Sequence, residues 1–442
     1  MVAVGGRFEC FISGKTNLFR TRTRECFRAA KHYLCGLIQA KRKNIERMEE
    51  VVPDSDYQAM QQFITDSPWD HEAVFDSVAH DADALLGGSP DSCLLVDETG
   101  FAKKGARSVG VARQWNGRLG KVDNCQVGVF SALCRGEHAT LVGARLYLPK
   151  EWIDDTQRLD QADVPQDERT LRPKADLALE LVLDAQQQGL RYGWVGADAG
   201  YGKDPQFLRA LEDFGETFMV DVHCDQHVWL QRPAAGDVSV RVDEWTRSQR
   251  AGKWRRMTLR QSTKGPVQVE VMARRVWAWD REEEEARSWW LVVRRDPQTK
   301  GELKYSLSNA PEDTSWQRLA YMQGQRYWIE RAFEDAKGSS GLGHYQVRGW
   351  RAWHHHVALV SLAMLFMTQE RVEHRESVPL LSCADIEVLL AHFLPRRDVT
   401  LDEILRQMDV RHQKRQASID VAYASKDFAP PGQGNRAGGL TK

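Results

Sequence analysis

Leu94 to Gly105 reads LLVDETGFAKKG. Three aliphatic residues run into Asp97 and Glu98, and Lys103 and Lys104 follow. A strand that ends on a carboxylate is costly to bury unless the acid has a partner. An acid that holds a metal ion, beside lysines that face a polyanion, would resolve the cost. That reading requires further carboxylates in matching settings elsewhere in the chain.

The chain has 442 residues, 42% apolar and 28% charged, which suits a globular protein with more than one domain. The formal net charge of −1 predicts no polyanion partner by itself. Its distribution does: between Arg7 and Arg47 the basic residues outnumber the acidic ones, a pattern shared by nucleic-acid-binding arms and by solvated helical faces. Eight scattered cysteines without a CxxC spacing point to reduced thiols in a cytoplasm. The longest apolar run, Val357 to Met367, is too short to cross a bilayer and reads as a buried helix.

Residues 1–88 show helical spacing, with a break at Asp66, Ser67 and Pro68 and a stop at Gly87 and Gly88; we read them as an N-terminal helical DNA-binding region. Residues 89–223 read as strands followed by β-α-β alternation, the first part of a mixed α/β core. Residues 224–311 alternate with period two and read as an antiparallel β insertion. Residues 312–375 return to helices, and 376–442 read as C-terminal helices and a Pro/Gly-rich disordered tail after Lys426.

Two more acids fit the setting of Asp97. Asp198, in WVGADAGYG, follows a later strand, and ligands gather at strand ends in open sheets. RYWIERAFEDAK places Arg326, Glu330, Glu334 and Lys337 along one helical stripe and Ile329, Phe333 and Ala336 along another. Three such acids suit Mg²⁺, whose hard oxygen ligands leave positions for water and phosphate. Two ions roughly 3.5–4 Å apart would activate an attacking hydroxyl and stabilise the departing oxygen. A plain Arg326–Glu330 salt bridge is the simpler alternative.

The blocks VDETGFAKKGARSVGVARQWNGRLGKVDNCQVGVF, LYLPKEW, WVGADAGYG and WIERAFEDAKGSSGLGHYQVRGWRAWHHHVAL resemble the signature blocks of DDE transposases of bacterial insertion sequences. The resemblance runs from about Ala29 to Gln369. It implies an RNase H-like mixed sheet flanked by helices, split by the β insertion, and cut-and-paste DNA transposition with Mg²⁺, for which Mn²⁺ substitutes. It implies Asp97, Asp198 and Glu330 as catalytic and metal-binding residues. It implies double-stranded DNA, namely terminal inverted repeats and target, as partner, and a homodimer in the synaptic complex. The implied DNA contacts are Lys103, Lys104, Tyr201, Trp290, Arg326, Lys337, His344 and Arg348. Gln323 departs from the family pattern, which often has a tyrosine there. Glu334 is the alternative third acid. A DNA-binding remnant that no longer cuts, and a metal-dependent nuclease without strand transfer, are rival readings. His354, His355 and His356 are adjacent on a helix and point apart, so they cannot chelate one ion together.

Overall fold

The computed structural model describes residues 3–424 except residues 23, 235, 263, 284 and 300; the tail predicted after Lys426 lies outside the described residues. The chain opens with helices α1 (Val4–Ser13), α2 (Phe27–Gln39), α3 (Ile45–Glu49), α4 (Tyr57–Thr65) and α5 (His71–Leu86). Asn44, Asp56 and Asp70 start the last three by accepting backbone N–H groups in the first turn. Strands β1 (Ser92–Ala102), β2 (Ala112–Asn116), β3 (Lys121–Arg135) and β4 (His138–Leu146) follow. Next come α6 (Lys150–Ile153), α7 (Thr156–Gln161), α8 (Lys174–Gln187), β5 (Trp194–Ala197), α9 (Ala199–Gly202), α10 (Pro205–Asp213) and β6 (Phe218–Val222). The insertion holds β7 (His227–Val228), β8 (Val240–Arg241), α11 (Val242–Ser248), β9 (Arg255–Ser262), β10 (Gly265–Ala278), β11 (Arg287–Arg295) and β12 (Lys304–Ser308). Five helices close the described chain: α12 (Trp316–Gln325), α13 (Tyr327–Gly338), α14 (Trp350–Glu373), α15 (Cys383–Phe393) and α16 (Leu401–Ala424).

One ten-stranded sheet runs β2-β3-β1-β5-β6-β12-β11-β10-β9, with β4 also on β3. Only β1, β5 and β6 are mutually parallel; β3 and β4 on one side and β12 to β9 on the other are antiparallel. The insertion is therefore less separate than its sequence texture suggests. Its strand β12 pairs with β6 through Leu307 and Val220, so β9 to β12 extend the core sheet.

Asp97 was expected at the end of its strand, but β1 continues to Ala102 because its antiparallel neighbour β3 is long enough to pair all eleven residues. What ends near Asp97 is the parallel partner: the β1–β5 ladder stops at Val96 and Ala197. The alternation of β1 sends Asp97 and Thr99 toward α12–α13, where they meet Arg326 and Lys337. It sends Glu98 to the other face, where Lys174 of α8 holds it at 2.6 Å.

Helix α14 is buried on every face, as its apolar run predicts. His354, His355 and His356 are all buried within it: His355 lies 3.7 Å from the Trp69 ring, and His356 contacts the Tyr33 hydroxyl at 2.9 Å. They are core residues packed against α4, α5 and α2. Among the described residues no helix is long and apolar enough to cross a membrane, and all eight cysteines are free thiols.

Candidate active site

The strand registers generate the site. Val96 on β1 pairs with Ala197 on β5, and Ala197 with Val220 on β6. The next residue on each chain is Asp97, Asp198 and Asp221. Neighbouring strands lie about 4.8 Å apart, so three aspartates stand in a row across the parallel part of the sheet. Asp198 turns the chain as it leaves β5, capping α9 by accepting the Gly200 N–H at 2.8 Å. Asp97 accepts the Glu98 N–H at 2.7 Å.

Arg326 lies over this row. Its guanidinium reaches Asp221 at 3.0 Å, Glu330 at 2.5 Å and Asp97 at 3.6 Å. Here α12 ends at Gln325 and α13 starts at Tyr327, with Arg326 between them in helical backbone conformation. Burial lowers the Arg326 pKa, but Asp221, Glu330, Asp97 and Asp198 outweigh it and hold the group above its usual range. The carboxyl of Asp97 is pushed well up by burial and then by Asp198, with Arg326 opposing. Asp198 is likewise raised by burial and then by Glu98. Both carboxyls are thus in want of positive charge.

Of the eleven side chains singled out from sequence, several converge. Asp97, Asp198, Glu330 and Arg326 form one cluster; Lys337 bonds the Thr99 hydroxyl at 2.5 Å just beside it. Tyr201, on α9, is buried at 2% exposure beneath the row, and burial with Glu98 and Asp97 pushes its hydroxyl well above the usual tyrosine range. It lies inside the cluster, where an approaching duplex would not touch it. Lys103 is half-buried on the Tyr345 ring, 3.5 Å from its centre, while Lys104, His344 and Arg348 are exposed nearby. Trp290 is corrected: it is buried at 9% exposure, its indole N–H donates to the Pro311 carbonyl at 3.1 Å, and Arg275 lies 5.5 Å from its ring centre, so it does not stand open to stack on a base. Among the described residues the exposed tryptophan is Trp115, 57% exposed on β2.

Glu334 turns away, pairing with Arg331 at 3.2 Å on the exposed side of α13. Gln323 is buried and donates to the Ser306 hydroxyl at 2.8 Å, which in turn donates to Asp221 at 2.5 Å. Gln323 thus braces Asp221 through Ser306. Asp221 itself was missed. Its signal was present in TFMVDV, where an acid follows an apolar strand in the phase of VDE and ADA.

Among the described residues, no group of three or more His, Cys, Asp or Glu side chains is gathered closely enough to hold a metal ion. The expected three-acid cage is therefore not preformed: Asp97 and Asp198 stand side by side, and Glu330, about half exposed, is tied to Arg326. The donor chemistry still fits a hard divalent ion, because two carboxylates opposed by desolvation, Asp97 also by Asp198 and Asp198 by Glu98, gain most from one.

The mixed sheet, its flanking helices and the acids beside the ends of parallel strands define an RNase H-like nuclease fold. A comparison of sequences makes the assignment specific. The chain belongs to the DDE superfamily endonuclease family, whose profile matches residues 17–285. The match includes Asp97 and Asp198 and stops before α13, so Glu330, Arg326 and Lys337 lie outside it. The chain is also similar to the probable transposase for insertion sequence element IS701 of Microchaete diplosiphon, 30% identical over 206 residues, or 46% of this chain. The similarity spans half the length of that relative.

Proposed function

We propose that the protein is a transposase that cuts DNA at the ends of an insertion sequence and joins the freed ends to a target. Support comes from the family assignment, from the likeness to a transposase, and above all from one observation: Asp97 and Asp198 are adjacent across the β1–β5 ladder, with Arg326 linking Asp97 to Glu330. In this reading Asp97 and Asp198 hold a divalent ion, Mg²⁺ or Mn²⁺, with Glu330 completing the set. Such an ion, when bound, supplies an activated attacking oxygen and offsets charge on phosphate.

The remaining work belongs to the chain. Arg326 lies within reach of every acid in the cluster, so it exchanges carboxylates for the scissile phosphate as DNA enters. Lys337 holds the next phosphate along α13. Water attacks phosphorus and the 3′-oxygen leaves with a proton; that 3′-hydroxyl then attacks a second phosphodiester, so that one phosphodiester bond forms as another breaks. Two element ends imply two copies of the protein in the synaptic complex.

The test is Mg²⁺-dependent cleavage of a duplex carrying the element's own end. Asp97→Ala, Asp198→Ala and Glu330→Ala are expected to lower the rate at least a thousandfold, roughly the 4 kcal/mol scale of a lost electrostatic stabiliser. Glu334→Ala should cut normally. A Glu330→Ala protein that cuts at the wild-type rate, with Glu334→Ala dead, would assign the third acid wrongly.

A further inference from the structure

Five residues beyond Asp97, β1 delivers the chain into a groove of about 1480 Å³. That exceeds the roughly 300–1,000 Å³ of a small-molecule site. One wall is the loop after β1, with Lys103, Lys104 and Arg107, together with Arg348 before α14 and Arg351 in its first turn. The other wall comes from the N-terminal helices α3 and α4. Lys104, Arg107, Arg348 and Arg351 are exposed, and among the described residues none makes an ion pair or a side-chain hydrogen bond. This is unusual in a chain whose arginines are mostly bound: Arg145, Arg172, Arg209, Arg287 and Arg326 each meet two or more carboxylates. Of the acids of the groove, Glu46 and Asp66 come from α3 and the end of α4, while Asp163 follows α7, whose end is bonded to the basic wall by the Trp350 N–H on the Ala162 carbonyl.

A line of cations connects the groove to the acid row. Arg326 sits at Asp97, Lys337 at Thr99 with the Phe101 ring 5.4 Å away, and Lys103 on Tyr345. Along a strand, five residues cover about 16 Å, and one strand of a duplex carries a phosphate about every 3.4 Å. Resting on the transposase reading, we propose that this groove seats the backbone of duplex DNA about five nucleotides from the phosphate held at Asp97, with Lys104, Arg107, Arg348 and Arg351 as its phosphate contacts.

The groove thereby accounts for cationic residues that lie far apart in sequence.

The salt dependence of binding tests it, using the full chain and a labelled 30-base-pair duplex of mixed sequence. Removing one cation that neutralises a phosphate reduces the slope of log affinity against log salt by about 0.9. Arg348→Ala/Arg351→Ala and Lys104→Ala/Arg107→Ala should each reduce it by about 1.8, and Arg348→Lys/Arg351→Lys should restore it. Arg250→Ala/Lys253→Ala, on exposed residues of the insertion outside the groove, should leave the slope within half a unit of wild type. If that pair lowers the slope while both groove pairs bind as wild type does, the groove assignment is overturned and the transposase reading stands. If the wild-type chain binds no duplex at any salt, both fall. Because the substituted side chains are exposed and unpaired, the melting temperature of each variant should match wild type, which separates weakened DNA binding from a damaged fold.

Discussion

Asp221 shows what a single side chain contributes to the cluster. It accepts from Ser306 and pairs with Arg326, and its own side chain is 16% exposed. Replacing it with Asn leaves the arginine buried with one carboxylate fewer. Asp221→Asn should cost roughly 1.5–3 kcal/mol, the range for a hydrogen bond to a charged group, read as a lower urea midpoint. Ser306→Ala should cost less, since Arg326 keeps its partner. Equal stability of Asp221→Asn and wild type would mean that the pair adds nothing. Asp97, Asp198 and Glu330 were all visible as residues in the sequence, because each is an acid beside an apolar strand or on a defined helical stripe. Asp221 was not singled out: TFMVDV carries the same local signal, an acid after an apolar run, and the register between strands is what ties it to the other two.

At the scale of elements, α9 is pressed against β6 so closely that a Cβ on Gly202 would stand 1.9 Å from the Asp221 carbonyl oxygen. Backbone cannot yield as a flexible side chain can. Gly202→Ala should therefore destabilise by about 2–3 kcal/mol, the scale of overpacking a filled interior. Gly6, on the exposed face of α1 with nothing within 4 Å of its Cβ position, gives the opposite sign: Gly6→Ala should stabilise by up to about 1 kcal/mol through helix propensity. Thermal melts of the two variants test both. The elements themselves were largely legible. Hydrophobic alternation marked the strands and the spacing in α13 marked its two faces. The placement of Arg326 over the acids was not legible, since the helical spacing of QRYWIE says nothing of which strands lie beneath it. Nor was the union of the insertion with the core sheet, which depends on β12 finding β6 across more than eighty residues.

The whole molecule buries several histidines in neutral form. Burial pushes His71 and His138 down to about 4, and His355 and His356 down to about 3. Above the unfolded value near 6.5 they are neutral in both states and pH has no effect through them. Below it the unfolded chain takes up protons that the folded chain refuses, so stability falls with pH until the folded values are reached. Each contributes on the order of 1 kcal/mol per pH unit. Urea unfolding at pH 7.5 and 5.5 should show a large drop in midpoint; an unchanged midpoint would mean that these rings are accessible to protons.

The sequence alone determined the kinds of element and their order, because periodicity and turn residues act over a few neighbours. It also singled out two of the acids of the row, Asp97 and Asp198, and, through the family resemblance, Glu330 with Arg326 and Lys337, leaving Glu334 as the alternative. Only the tertiary structure decided that Asp221 completes the row, that Arg326 stands over it, that Trp290 is buried, and that unpaired arginines from two distant segments share a groove. Those facts follow from which strands pair, in which register, and which residues pack across hundreds of positions. Such pairings are fixed by burial of the whole core and leave no local trace.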